Sequence, residues 1–383
     1  MLRSCGLVES HECQSRSSRL QPDLSIRRVL IHRLGSLGDT VVALPCFHLI
    51  ARAFPNAERR LLTNFPVHSK APAAASVLGD SGMVHGYMRY TVGTRNPLEL
   101  LRLAAEIRRF APDVVVYLMP VRPWKAAKRD RLFFRLAGVK RVIGISSEQE
   151  MKPCFDEATG LYEREAERLS RLMAELGDAN PADLANWNLA LNDQEHQAAD
   201  EALGSLREFP VIVCGPGTKM PSKDWGQDDW QVLLGRIDAM YPGHALVLVG
   251  AREEFDVAEH AARQWTGPWV NLCGRLGPRE TAAMLEYAKI FLGPDSGPMH
   301  LAASVGVPCV IPFAATVPPG VWFPQGDKNQ IVYHRTYCTG CRLEHCNVEG
   351  HPCMSSLTVE EMEAAFDRAM NGRDGNTIIV RIS

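Results

Sequence analysis

No apolar run in the sequence approaches the ~20 residues that cross a bilayer, and stretches such as Val211–Cys214 and Ala245–Val249 are only strand-length. Residues 1–26 lack the apolar core of a signal peptide; polar and patternless, they read as a loose tail or an over-called start. A cytoplasmic protein is therefore expected. The G-x-G-x-x-G dinucleotide fingerprint is missing, because Met220 stands where its third glycine belongs, and so is the GK[ST] ending of a P-loop. Nicotinamide oxidoreductases are disfavoured on that ground. A disulfide framework is also unexpected: seven of the eleven cysteines are scattered (5, 13, 46, 154, 214, 273 and 309), and a large cytosolic protein keeps its thiols reduced. Net charge is nearly absent at −2, and no nucleic-acid partner is expected.

The small net charge hides an asymmetry. Residues 27–180 carry 24 lysines and arginines against 16 acids, whereas residues 181–383 carry 15 against 25. The two halves present opposite fields. Arg122 to Arg141 is the densest basic stretch, with Asp130 its one acid. It is either a solvated helix face or a site for an anionic acceptor or membrane surface, with Arg122, Lys125, Arg129 and Arg131 the candidate contacts.

An apolar fraction of 46% and a charged fraction of 22% are those of a globular protein, and 383 residues exceed one hydrophobic core. Branched apolar runs at 28–34, 113–118, 141–145, 209–214, 244–250, 290–293 and 307–312 read as buried strands. Helical periodicity fills 40–53, 97–110, 228–240, 253–265 and 359–370. This alternation predicts an α/β protein with two Rossmann-like domains, their parallel sheets facing a central cleft. We place the tail at 1–26, the domains at 27–185 and 186–358, and a C-terminal helix at 359–371, with the linker in the irregular segment 177–192.

Four strand-end loops carry the candidate chemistry. Gly35-Ser36-Leu37-Gly38-Asp39 puts a carboxylate at a helix start facing the cleft, either as a cap or as a general base. Gly215 to Trp225 offers amides, Thr218, Lys219 and Lys223 to an anion, or is an ordinary turn with exposed lysines. Gly250-Ala251-Arg252-Glu253-Glu254 ends a strand with a carboxylate suited to ribose hydroxyls, and Glu254 is preferred to Glu253. Asp295-Ser296-Gly297-Pro298-Met299-His300 opens a helix after a strand. Its free amides at Ser296 and Gly297 form a diphosphate site, with His300 in the first turn. A capped helix with a buried histidine is the plainer alternative there.

Together these loops resemble glycosyltransferase family 9, the heptosyltransferases of the lipopolysaccharide inner core. RVLIHRLGSLGDTVVALPCFHLIARAFPNA is similar to the family's opening strand, loop and helix. GPGTKMPSKDWGQDDWQVLL is similar to its phosphate-contacting loop, and FLGPDSGPMHLAASVGVPCVIPF to its D-[ST]-G-x-x-H-x-A-A signature. The resemblance runs from about Arg27 to Met370, and Ala314–Trp322 departs from it by lacking the glycine frequent after that strand. It implies a GT-B fold and an inverting, metal-independent transfer. By resemblance Asp39 is the base, and Thr218, Lys223, Glu254, Asp295, Ser296, Gly297 and His300 contact the donor, typically ADP-heptose. The implied acceptor is an anionic glycolipid or surface glycan, with peripheral contact at the inner face of the cytoplasmic membrane.

Cys338, Cys341, Cys346 and Cys353, interleaved with His345 and His351, suit a tetrahedral structural zinc site, an iron–sulfur cluster or a reduced-thiol loop. Two other functions remain open on this sequence. A nucleotide-sugar epimerase would bind the donor and need no acceptor. A non-catalytic nucleotide-sugar or metal-binding protein would need no acid at position 39.

Overall fold

The computed structural model describes residues 22–64, 74–372 and 376–381; most of the expected tail lies outside the described residues. The first half runs β1 (Arg28–His32), α1 (Leu37–Val41), α2 (Leu44–Ala53), β2 (Glu58–Asn64), α3 (Ala74–Leu78), β3 (Gly86–Tyr90), α4 (Pro97–Phe110), β4 (Val114–Tyr117), α5 (Trp124–Leu136) and β5 (Arg141–Ile143). Its five strands are all parallel, in the order β3-β2-β1-β4-β5. Both faces of this sheet are covered by helices, so β4 reads as four consecutive buried residues rather than an alternation.

A connecting region follows, with the hairpin β6 (Phe155–Asp156) and β7 (Leu161–Tyr162), then α6 (Glu165–Leu172) and α7 (Asp193–Leu203). The second half holds β8 (Val211–Cys214), α8 (Gln227–Met240), β9 (Ala245–Leu248), α9 (Phe255–Ala261), β10 (Trp269–Asn271), α10 (Pro278–Leu285), β11 (Ala288–Leu292), α11 (Gly297–Ser304), β12 (Cys309–Phe313), β13 (Gln330–Arg335), α12 (Pro352–Ser355), α13 (Val359–Met370) and β14 (Asn376–Arg381). Its strands are also parallel, ordered β10-β9-β8-β11-β12-β13-β14. The fold is α/β with two Rossmann-like parallel sheets, as the alternation predicted, in the GT-B arrangement that the resemblance implied. In each sheet the chain order reverses beside the first strand, between β1 and β4 and between β8 and β11. The carboxyl ends there form the crevice in which open parallel sheets bind ligands.

Local sequence explains the helix boundaries. Asn96 accepts a hydrogen bond from the Leu98 amide and Pro97 opens α4. Thr358 and Glu361 cap α13 reciprocally. The single helix expected over 40–53 is two, because the first turn starts earlier, at Leu37, and the chain kinks before Pro45. The chain does not end with the helix after 359: β14 adds an edge strand that the sequence reading passed over.

Arg279, at the start of α10, ties the two halves. Its guanidinium donates to the carbonyls of Val77 (3.1 Å) and Leu78 (3.3 Å) after α3, and to those of Leu189 and Ala190 (both 2.8 Å). Glu195 on α7 neutralises it. One buried cation thus satisfies carbonyls from both sides of the cleft.

Candidate active site

Asp39, Thr218, Lys223, Glu254, Asp295, Ser296, Gly297 and His300 all line one cavity of about 600 Å³ between the halves. Asp39 arrives from the loop after β1, and the others from the loops after β8, β9 and β11. Four motifs far apart in sequence meet because each follows a strand whose carboxyl end faces the cleft between the two sheets.

Asp39 occupies the third position of α1, where Oδ2 accepts from the Ser36 amide at 2.9 Å and the Ser36 hydroxyl at 3.3 Å. Oδ1 makes no hydrogen bond among the described residues. One oxygen therefore caps the helix while the residue faces the cavity, so the cap and base readings are geometrically compatible. Gly35 permits this: at φ +133°, a Cβ there would overlap the Asp39 side chain.

Across the cavity, Lys223 Nζ donates to Asp295 Oδ2 at 2.6 Å, and both are largely buried. Ser296 precedes the first turn of α11 with extended backbone, and its hydroxyl is buried without a partner. The amides at this helix start have no capping side chain, which leaves them for a ligand. His300 is fully enclosed, and burial pulls its imidazole down to about 4 against the opposing pull of Asp295 and Asp39. It is neutral at pH 7 and can donate one ring proton. Glu254 Oε2 accepts from the Ala251 amide at 2.8 Å. A Cβ at Gly217 would meet Glu254 Cδ at 2.5 Å, and one at Gly250 would meet Oε2 at 2.6 Å, so both loop glycines make room for this carboxylate. Thr218 accepts from the Met220 amide and shapes its loop.

The two sides touch at the chemistry. A Cβ at Gly38 would lie 2.8 Å from His300 Cδ2, and one at Gly297 would lie 2.6 Å from Leu37 Cδ2. His300 cannot recede, since the Trp322 ring stands at its edge with centroids 6.1 Å apart. Gly38→Ala should force the halves apart at this point. We expect the overpacking to cost about 1–3 kcal/mol and to raise the donor KM, measured by thermal melting and steady-state kinetics; parental values for both would show that the contact is slack.

The basic stretch behaves differently. None of Arg122, Lys125, Arg129 or Arg131 lines the cavity. Arg122 donates to Asp130 at 2.9 Å, beside the Tyr117 hydroxyl, and Arg131 donates to the Ile145 carbonyl. Arg129 and Lys125 are exposed on α5.

One loop carries the four candidate metal ligands. Among the described residues no group of three or more His, Cys, Asp or Glu side chains is arranged to hold a metal ion. Cys338, Cys341 and Cys346 are half-buried free thiols and Cys353 a buried one. Their loop has other partners. Gly340 and Arg342 donate backbone amides to Ala315 and Thr316, and Ser222 bonds to the carbonyls of Leu343 and Glu344. Cys346 Sγ turns to the Val348 carbonyl and Cys338 Sγ to the Thr336 hydroxyl. The loop braces the turn carrying Lys223.

Sequence reasoning missed Thr316, Trp322 and Arg342, which also line the cavity but belong to no strand-end motif. It also missed a buried cluster behind Asp39. Arg33 donates Nε (2.9 Å) and Nη2 (2.5 Å) to the Asp39 carbonyl and Nη1 to that of Leu118. Glu165 on α6 stands 3.5 Å from Arg33 and takes two hydrogen bonds from Arg168.

Two Rossmann-like sheets in a GT-B arrangement thus face one cavity, with an uncapped helix N-terminus and a carboxylate among its lining. The model of glycosyltransferase family 9 (heptosyltransferase) matches residues 133–351, and the chain belongs to that family. It is 30% identical over 135 residues to lipopolysaccharide heptosyltransferase 3 of Escherichia coli, a match covering 34% of this chain and 37% of that protein. The chain thus spans little more than a third of that relative's length. Among solved structures it resembles the glycosyltransferase family 9 protein of Veillonella parvula, with TM-score 0.66 at 16% identity over 90% of this chain and 98% of that one. It also resembles E. coli heptosyltransferase WaaC with ADP, with TM-score 0.57 at 18% identity over 89% and 99%.

Proposed function

We propose that this protein transfers a sugar, heptose in the first instance, from an ADP-linked donor to an anionic lipopolysaccharide-core or related surface-glycan acceptor, with inversion at the anomeric carbon. The observation carrying this reading is the placement of Asp39 on one wall of the cavity and the α11 N-terminus, Lys223 and His300 on the other. Residues 27–185 then serve the acceptor and 186–358 the donor, on the cytoplasmic side of the membrane.

The acceptor hydroxyl loses a proton as it attacks, and Asp39, with Oδ1 uncommitted, is placed to take it. The departing diphosphate gains negative charge, which the amides of Ser296 and Gly297 and the Lys223 ammonium stabilise in a site already ordered for it. Those groups neutralise the leaving charge without a metal ion, so transfer should persist in chelator. Base and leaving group on opposite walls give inversion. Glu254 is suited to the ribose hydroxyls and Thr218 to a phosphate oxygen. His300, neutral, donates without adding charge.

The reading is tested by incubating the protein with ADP-heptose and other nucleotide sugars and following melting temperature and transfer. ADP-heptose should stabilise the fold by mass action and label a heptose-deficient core acceptor. Stabilisation by no nucleotide sugar would reject a donor site. Isomerised sugar formed without acceptor would make the protein an epimerase.

Lys223→Ala removes a charge-assisted bond, and such bonds contribute about 1.5–3 kcal/mol. ADP affinity should fall ~10–100-fold by calorimetry. Unchanged affinity would leave Lys223 as the counter-ion of Asp295 alone.

A further inference from the structure

The strands of the second sheet are parallel, so the loops after β9, β8, β11, β12 and β13 leave one edge of it in that order. The candidate donor contacts follow the same order. Glu254 comes from the first of these loops, Thr218 and Lys223 from the second, and Ser296, Gly297 and His300 from the third. Two more cavity-lining side chains lie beyond them, Thr316 from the loop after β12 and Arg342 from the loop after β13. A backbone hydrogen bond joins the two, the Arg342 amide donating to the Thr316 carbonyl at 2.9 Å. Thr316 is only 2% exposed, yet its hydroxyl has no hydrogen-bond partner among the described residues. A buried hydroxyl left that way is costly unless something arrives to pair it. Arg342 is exposed at the rim, and its guanidinium has no hydrogen bond or ion pair among the described residues. Its φ of +57° lies in the left-handed region, where glycine or asparagine sits more easily than arginine. The Thr316 bond holds this backbone in place, with a second bond from the Gly340 amide to the Ala315 carbonyl at 2.8 Å.

We propose, resting on the donor reading above, that Thr316 and Arg342 hold the hydroxyls of the transferred sugar and decide which sugar the cavity accepts. A nucleotide sugar is linear: nucleoside, then diphosphate, then sugar. With the ribose at Glu254 and the diphosphate at Lys223 and the start of α11, the sugar falls over the next loops along the edge, those after β12 and β13. Neighbouring strands are about 4.8 Å apart, so the Thr316 loop lies one strand beyond the diphosphate, the distance a sugar ring spans. Trp322, in the same loop as Thr316, makes the join, since its ring packs edge-on against His300 in the first turn of α11. A guanidinium carries paired N–H donors in a fixed fork that can span two neighbouring sugar hydroxyls, and the Thr316 hydroxyl can donate to or accept from a third. The diphosphate does not need this second cation, because Lys223 and the helix amides already serve it. An anionic group on the acceptor would pair with Arg342 at the rim and leave the buried Thr316 hydroxyl unpaired.

Calorimetry of the full chain with ADP and with ADP-heptose, no acceptor present, separates the parts of the donor. Thr316→Val should weaken ADP-heptose binding ~3–10-fold and Arg342→Gln ~10–100-fold, with ADP affinity parental in both. Thr316→Val should melt no lower than the parent, since valine keeps the shape and removes an unpaired hydroxyl. Arg342→Gly suits the left-handed backbone, so it should also keep the melting temperature while losing the sugar as far as Arg342→Gln does. In transfer assays the parental preference among ADP-linked heptose, mannose and glucose should narrow in Arg342→Gln. Equal losses for ADP and ADP-heptose would make the two residues phosphate contacts and overturn the inference. Parental ADP-heptose affinity in all three variants overturns it too, as does a rise in acceptor KM alone. A parental chain that binds neither ADP nor ADP-heptose fails at an earlier step, and takes down the donor reading and this inference together.

Discussion

Asp39→Asn should lower turnover by ~10²–10⁴-fold while leaving fold and donor affinity nearly unchanged. Oδ2 of Asp39 holds the Ser36 amide and hydroxyl, and an asparagine carbonyl oxygen can accept the same amide, so α1 keeps its start. The Arg33 fork grips the backbone carbonyl of residue 39 and does not depend on its side chain. The residues proposed to hold the donor come from the loops after β8, β9 and β11 and are untouched. His300 loses a nearby negative charge that favours its protonation, which only reinforces its neutral state at pH 7. What disappears is a group able to take the acceptor's proton, because an amide does not do so at neutral pH. Transfer rate and ADP affinity, measured together, decide the matter. A variant with near-parental turnover would reduce Asp39 to a helix cap and leave the site without a base.

Much of this site was legible because its residues sit in contiguous motifs. A buried parallel strand, a glycine turn and a helix start announce themselves over a dozen residues. The stretches 28–53, 209–240 and 288–313 have that form. Strands away from the sheet centre announce themselves less well. β2 mixes arginines with leucines (ERRLLTN), and the edge strand β3 reads GYMRY; neither has the unbroken apolar run of β4. Long-range partners leave no local signal at all. Nothing near Arg33 foretells Glu165, 132 residues away, and nothing around Arg342 foretells the cavity. The cysteine cluster is legible as a spacing, but the hydrogen bonds that tie its loop to Ala315, Thr316 and Ser222 reach far along the chain and leave no local signal.

Glu165→Gln should be the most destabilising single polar change in the protein, at about 3–5 kcal/mol. Arg33, Glu165 and Arg168 are all fully buried, and one carboxylate serves two guanidinium groups. Replacing it with an amide leaves two cations out of water, still tied to the carbonyls of Asp39, Leu118, Met119 and Met151. Denaturant unfolding should show the loss as a lower midpoint. A second variant separates stability from positioning. Replacing the whole triad by apolar residues of similar size (Arg33→Met, Glu165→Leu, Arg168→Met) removes all of its own charges, and such replacements are often neutral or stabilising. If the triad only holds the fold, that variant should be both stable and active. We expect it to be stable and slow, with kcat reduced and ADP affinity retained, because the Asp39 carbonyl has lost the fork that fixes its peptide. Arg33→Lys alone, which keeps the charge but not the two-pronged grip, should fall between. Parental kcat in the apolar variant would show that α1 holds its place without the arginine, and that the buried charges serve the junction with Val321, whose carbonyl accepts from the Glu165 amide at 2.8 Å, more than the base.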